Sequence, residues 1–194
     1  EEMPDADRRL IEIIMNHCGR VNGIVENVLQ LSRRERSRPE CINLASWGHG
    51  LVTDFKQAQP LGQDQLRLVV DNRDARALVD PSQLTQAVWN LLRNAIRYGR
   101  QPDQPADITL RIRQPNPTQG ALVEIIDRGP GIPAPHQRQL FEPFFTTRAD
   151  GTGLGLYICK QLLGANQGSI EYVNVPGGGS CFRIQLAVPQ RDLA

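Results

Sequence analysis

Four short segments, met in one order along the chain, constrain the fold most: Asn90-Leu91-Leu92-Arg93-Asn94-Ala95, Asp127-Arg128-Gly129-Pro130-Gly131, Phe141-Glu142-Pro143-Phe144-Phe145 and Gly151-Thr152-Gly153-Leu154-Gly155-Leu156. The first sits inside an apolar-periodic stretch and asks for a helix. The second closes a β-branched run with a glycine-rich turn, and the last feeds glycines into another helical pattern. A chain that must switch period this often cannot be a pure helical bundle or a pure β-sandwich.

The stretch 82–98 can be read face by face at about 100° per residue. Leu84, Val88, Leu91, Leu92 and Ala95 fall on one arc and Asn90, Asn94, Arg97 and Tyr98 on another, so one face packs and the other is free for a ligand. Asp80-Pro81-Ser82 supplies a cap and a first-turn proline. Magnesium takes hard oxygen ligands and keeps several waters, so the Asn94 amide oxygen with phosphate oxygens would suffice. Two asparagines on a wet helix face are the competing reading of this segment taken alone.

Leu122-Val123-Glu124-Ile125-Ile126-Asp127 reads as a buried strand ending in a carboxylate. Such a carboxylate can accept from an exocyclic amino group of a base, and Gly129 and Gly131 allow backbone to approach the ring. Glycines 151, 153 and 155 precede Leu156-Tyr157-Ile158-Cys159-Lys160-Gln161-Leu162-Leu163, so free N–H groups and a helix amino terminus face whatever anion sits there. The segment is no P-loop, because Gly-Lys-Ser/Thr is missing. Between the glycine segments about twenty residues form a long loop that suits a lid, with Phe141, Phe144 and Phe145 anchoring one end in the core. Arg148 can offset phosphate charge or remain a solvated surface arginine. Together the segments point to an adenine nucleotide.

The order and wording of these segments resemble the N, G1, F and G2 boxes of sensor histidine kinases, in the superfamily that also holds the gyrase, Hsp90 and mismatch-repair ATPases. The resemblance covers roughly residues 40 to 188, and Thr146-Thr147-Arg148 with Gly-Thr-Gly-Leu-Gly-Leu-Tyr-Ile-Cys is most similar to the nitrogen-regulation and type IV pilus (NtrB- and PilS-like) kinases. It implies an α+β fold, a two-layer sandwich of the Bergerat type with a mixed sheet covered by helices on one face, preceded by a long helix. It implies ATP and Mg²⁺ as cofactors, with Asn94 as metal ligand and Asn90, Asn94 and Arg97 as the catalytic set. ATP contacts are implied at Asn94, Arg97, Tyr98, Asp127, Gly129, Gly131, Ile132, Phe141, Thr146, Thr147, Arg148, Gly151, Thr152, Gly153, Leu154, Gly155 and Leu156. Where hydrolysing relatives carry a glutamate as general base, this chain has Asn90, and an amide cannot take a proton from water at neutral pH. An ATP hydrolase of the same superfamily, or a non-enzymatic ATP-sensing module, is the alternative.

Residues 1–38 read as a long helix and linker, and 39–194 as the nucleotide-binding domain. Pro4, Asp5 and Asp7 suit a helix start, and Ile11, Ile14, Cys18, Val21, Val25 and Val28 repeat at steps of three and four, the spacing of a helix-packing seam. Gly19 and Gly23 mark either a close helix contact or a soft point, and the basic run 33–38 before Pro39 ends the helix. By resemblance this is the second helix of a dimerisation hairpin. None of His17, His49 and His136 is followed by an acidic residue with a proline a few positions on, so the acceptor histidine is expected upstream, and His49 and His136 to be exposed. Implied partners are that hairpin, within a homodimer, and a response regulator. Net charge of +1 gives no nucleic-acid footprint, and four scattered cysteines suggest neither zinc nor disulfides. The absence of a long apolar run, with the resemblance, implies a cytoplasmic domain of an inner-membrane sensor.

Overall fold

The computed structural model describes residues 37–101, 104–116, 119–148 and 151–188, together with Ile11, Ile14, Met15, Cys18 and Val21. Those five amino-terminal residues are helical and exposed. The expectations placed on Pro4, Asp5, Asp7, His17, Gly19, Gly23, Val25, Val28 and residues 33–36 lie outside the described residues.

From residue 40 the elements run β1 (Glu40–Asn43), α1 (Leu44–Ala58), β2 (Gln65–Val70), β3 (Arg76–Val79), α2 (Pro81–Gly99), β4 (Asp107–Arg113) and β5 (Leu122–Asp127). They continue with a short α3 (Ala134–Gln137), then α4 (Gly155–Ala165), β6 (Ser169–Asn174) and β7 (Ser180–Gln185). Strands β2-β4-β5-β7-β6 form one five-stranded sheet, and β1 and β3 a separate two-stranded one. Only the β2–β4 pair is parallel; the other neighbours in the large sheet are antiparallel. This is the mixed sheet with helices on one side that the sequence led us to expect.

β2 and β3 lie either side of a turn but do not pair with each other: β3 joins β1 and β2 joins β4. The amino cap of α1 is Asn43, whose side chain accepts from the Ser46 N–H at 2.9 Å, so Ser46 is a capped residue and not the cap. Both types cap well, and the residue three positions earlier holds the extended backbone that a cap requires.

The core lies between sheet and helices. In β4 the buried residues Ile108, Leu110 and Ile112 alternate with outward ones, and Leu84, Val88, Leu91, Leu92 and Ala95 of α2 pack down on them as the helical stripe required. Each large aliphatic side chain so buried contributes about 1.5–3 kcal/mol. The helix-free face instead carries charge. Arg111, Glu124, Arg183 and Glu171 stand in one cross-strand row, with Arg183 Nε 2.7 Å from Glu124 and Nη1 3.1 Å from Glu171. Alternating charge there satisfies a face that no helix covers among the described residues.

Helices α2 and α4 pack together in opposite directions. The start of α2 meets the end of α4, where the Asn166 amide donates to Gln83 at 2.7 Å. Their other ends, bearing Asn94 and Tyr98 on α2 and Gly155 and Leu156 on α4, come together beside β7.

Candidate functional site

A cavity of about 340 Å³ opens where these latter ends meet. Asn94 and Tyr98 project into it from α2, Gly131 and Ile132 from the turn after β5, Thr146 and Thr147 from the lid, and Leu156 from α4. These are seven of the residues singled out from the sequence, drawn from all four segments' neighbourhoods. Phe145, expected as a loop anchor, also lines the cavity, and local reading missed other wall residues: Leu140, Ser180 and Phe182 on β7, and His136 on α3. His136 is half-buried, not exposed as expected, and stacks edge-on against Phe145 with centroids 5.8 Å apart. Ser180 and Phe182 carry no local signal, because strand pairing alone brings β7 beside β5.

Asp127 stands just behind the wall. It is 4% exposed, and its Oδ1 accepts from Gly129 N–H at 2.9 Å and from Ser180 N–H at 3.3 Å. Burial pushes its carboxyl above the ordinary carboxylate range, against the pull of those hydrogen bonds. Gly129 is required here by contact: a β-carbon would meet the Gly99 backbone of α2 at 2.7 Å.

Asn90 is buried and lies off the wall. Its Oδ1 accepts from Arg93 Nη2 at 2.6 Å, while its Nδ2 is buried with no hydrogen-bond partner among the described residues. Arg97 is exposed on α2 and also off the wall. Cys159 lies beneath this stretch, fully buried, its thiol donating to the Ala87 carbonyl at 3.4 Å and pushed up to about 12 by burial.

The loop expected to serve as a lid lies against the glycine loop, Thr146 beside Gly151 and Phe144 beside Gly153. Phe141 packs edge-on against Phe182 at 6.4 Å, and Phe145 is half-buried, so both anchor the loop. Phe144 does not: its side chain is 68% exposed and its φ is 67°. What holds that position is backbone contact, since Gly153, at φ 69°, lies against the Phe144 main chain so closely that any β-carbon would collide with it. Arg148 reaches back from the lid over the Tyr98 ring, 5.9 Å from its centroid. Thr146 Oγ1 accepts from the Arg148 N–H at 3.2 Å, which turns the lid end towards Gly151.

The remaining loop residues, Gly151, Thr152, Gly153, Leu154 and Gly155, surround the wall without forming it. Leu154 occupies the α4 cap position and makes no side-chain capping bond. Its own N–H donates to Thr152 Oγ1 at 3.4 Å. Among the described residues no group of His, Cys, Asp and Glu could hold a metal by itself. Asn94 is half-buried on the cavity wall.

Comparison with known proteins fits this geometry. Residues 79–190 match the family described as histidine kinase-, DNA gyrase B- and HSP90-like ATPase. Over 191 residues the chain is 40% identical to the sensor protein kinase PilS of Pseudomonas aeruginosa, covering 98% of this chain and 36% of that one. It is 31% identical to the sensory histidine kinase/phosphatase NtrB of Rhodobacter capsulatus, covering 96% and 54%. The chain thus spans between about a third and about half of these relatives. The catalytic domain of histidine kinase ThkA, in a nucleotide-free form, superposes with a TM-score of 0.67 at 26% identity, over 78% of this chain and 96% of that one. ThkA in complex with response regulator TrrA gives 0.75 at 25% identity, over 98% and 55%. The chain belongs to the histidine kinase-, DNA gyrase B- and HSP90-like ATPase family, and carries the catalytic ATP-binding domain of the two-component sensor kinases.

Proposed function

We propose that this chain binds Mg²⁺·ATP in the cavity between α2, β7 and the lid and delivers the γ-phosphoryl group to a histidine on a dimerisation helix, for relay to a response regulator. The observation that carries this reading is the convergence of Asn94, Tyr98, Ile132, Thr146, Thr147 and Leu156 on one cavity at the uncapped amino end of α4. Adenine lies against Ile132 and Tyr98 and gives its amino hydrogen to Asp127 directly or through a water. The phosphates face the α4 amino end, where free N–H groups and the helix dipole favour anions. Asn94 supplies the amide oxygen for magnesium, whose charge offsets that of the phosphates. Arg97 and Arg148 add positive charge on either side, and Gly151, Thr152 and Gly153 set the backbone around the phosphates. Catalysis is positioning and charge neutralisation. No carboxylate occupies the place of Asn90, so water is not activated and ATP is held for transfer.

In the same reading residues 1–38 are the second helix of the hairpin with its linker, Ile11, Ile14, Cys18 and Val21 belong to a homodimer seam, and the protein is anchored as a membrane sensor. Among the described residues no helix is long and apolar enough to cross a membrane.

Calorimetry of ATP binding with magnesium present tests the site. Asp127→Ala is expected to lose about 1.5–3 kcal/mol, the range for a hydrogen bond to a charged group. Asn94→Ala should lose the magnesium dependence. Unchanged affinity in both variants would overturn the reading.

A further inference from the structure

At the end of the α2–α4 pair remote from the cavity, one amide joins three separate stretches of chain. Asn166 caps α4 and is 4% exposed. Its Oδ1 accepts from the Asp80 N–H at 2.8 Å and from Ser37 Oγ at 2.9 Å, and its Nδ2 donates to Gln83 at 2.7 Å and to the Leu162 carbonyl at 2.8 Å. A carboxamide has two donors and two acceptor sites, and all four are used. Next to it the buried Asp80 carboxylate caps α2 through Ser82 and Gln83, and its other oxygen accepts from the Arg38 N–H at 2.9 Å. Capping two helices does not call for Ser37 or Arg38. Both are nevertheless held, by neighbouring bonds, just before the chain enters β1.

We propose that Asn166 is a positioning residue that latches the linker at Ser37 and Arg38 onto the α2–α4 pair, and so fixes the angle at which the ATP-binding domain faces the chain that precedes it. That this angle governs delivery of phosphate to an acceptor rests on the kinase reading above; the latch itself does not. Asp80 precedes Asn94 by fourteen helical residues, so the latch stands about 21 Å along α2 from the metal-binding amide. Loosening it alters the orientation of the domain and leaves the nucleotide wall intact.

The native cysteines allow the test without added sites. Cys18 and Cys41 are exposed, while burial raises the Cys159 and Cys181 thiols to about 12 and about 11, so a thiol-reactive spin label at neutral pH marks only the first pair. Pulsed electron-spin distance measurement on the whole chain, diluted with unlabelled chain to remove signals between molecules, reads the amino-terminal helix against the domain. The parent should give one narrow Cys18–Cys41 distance distribution. Ser37→Ala and Asn166→Ala should each widen it about twofold or more, with ATP affinity changed by less than about twofold, as for sites that share no contacts. A simple loss of stability would lower the melting temperature and leave the distribution of the folded chains narrow. Equal widths in parent and Ser37→Ala, or a parent already broad, would overturn the latch. If Asn166→Ala does not fold, Ser37→Ala decides alone, since it deletes one bond from a half-buried linker residue. Failure of the parent to bind ATP would count against the nucleotide reading, and the widths would still decide the latch.

Discussion

The two ends of the α2–α4 pair are built from similar residues to opposite effect. At the linker end Asp80 and Asn166 are buried with a full set of partners, and although burial pushes the Asp80 carboxyl up, hydrogen bonds from Arg38, Ser82 and Gln83 hold it below the ordinary range. At the cavity end Asp127 is equally buried, but burial prevails and its carboxyl lies above that range despite the hydrogen bonds from Gly129 and Ser180. One end spends its polar groups on the fold. The other leaves a carboxyl only partly compensated just behind the cavity wall, where local rules of stability are most often broken.

The contrast can be broken or sharpened by substitution. Leu91, fully buried midway along α2, supports both ends at once, so Leu91→Ala should lower unfolding free energy by about 2–5 kcal/mol in urea melts and weaken the latch and the nucleotide site together. Loss at only one end would show that the ends are not joined through this helix.

Asp80→Ala should act on one end, costing about 0.5–2 kcal/mol as a lost cap, without altering ATP affinity. Its pH dependence has a definite sign. Because the folded-state carboxyl is lowered, its stabilisation is present above the unfolded value near pH 4 and fades as pH falls through the folded one, so the deficit of the variant should be full at neutral pH and shrink in acid. Thermal melts from neutral to acid pH would show it.

Asp127→Asn should do the reverse. A carboxyl raised by burial stabilises the fold only while protonated, and that contribution is lost as pH rises through its folded value. The amide keeps Oδ1 for Gly129 and Ser180 and sheds the charge, so the variant should melt no lower than the parent at neutral pH while binding ATP more weakly. A lower melting temperature at neutral pH, with the difference vanishing in acid, would place Asp127 with Asp80 and erase the contrast.

The linker end was partly legible in the sequence: Asp80 before Pro81 announces a cap, and the stripe Leu84, Val88, Leu91, Leu92 and Ala95 announces the buried face. Asn166 was not, because its partners Ser37, Asp80 and Gln83 are distant in the chain and no local pattern records them. The cavity end divides in the same way. Asn94, Tyr98, Gly131, Ile132, Thr146, Thr147 and Leu156 belong to recognisable segments, whereas Ser180 and Phe182 reach the wall through β5–β7 register. Phe144 was misjudged for a physical reason: aromatic character suggests burial, but a left-handed backbone pressed against Gly153 turns its ring to solvent.

The one parallel pairing in the sheet bears on the order in which the chain assembles. β6 and β7 are joined by a short turn and can meet early, whereas β2 reaches β4 only after β3 and the whole of α2 have intervened. Closing that long loop costs entropy before any ladder bond repays it, so the β2 edge is expected to zip last, onto a sheet that α2 already covers. In pulsed hydrogen exchange during refolding, the Leu66 and Leu68 amides should gain protection after those of Phe182 and Ile184; the opposite order would mean that this domain begins to fold from its parallel edge.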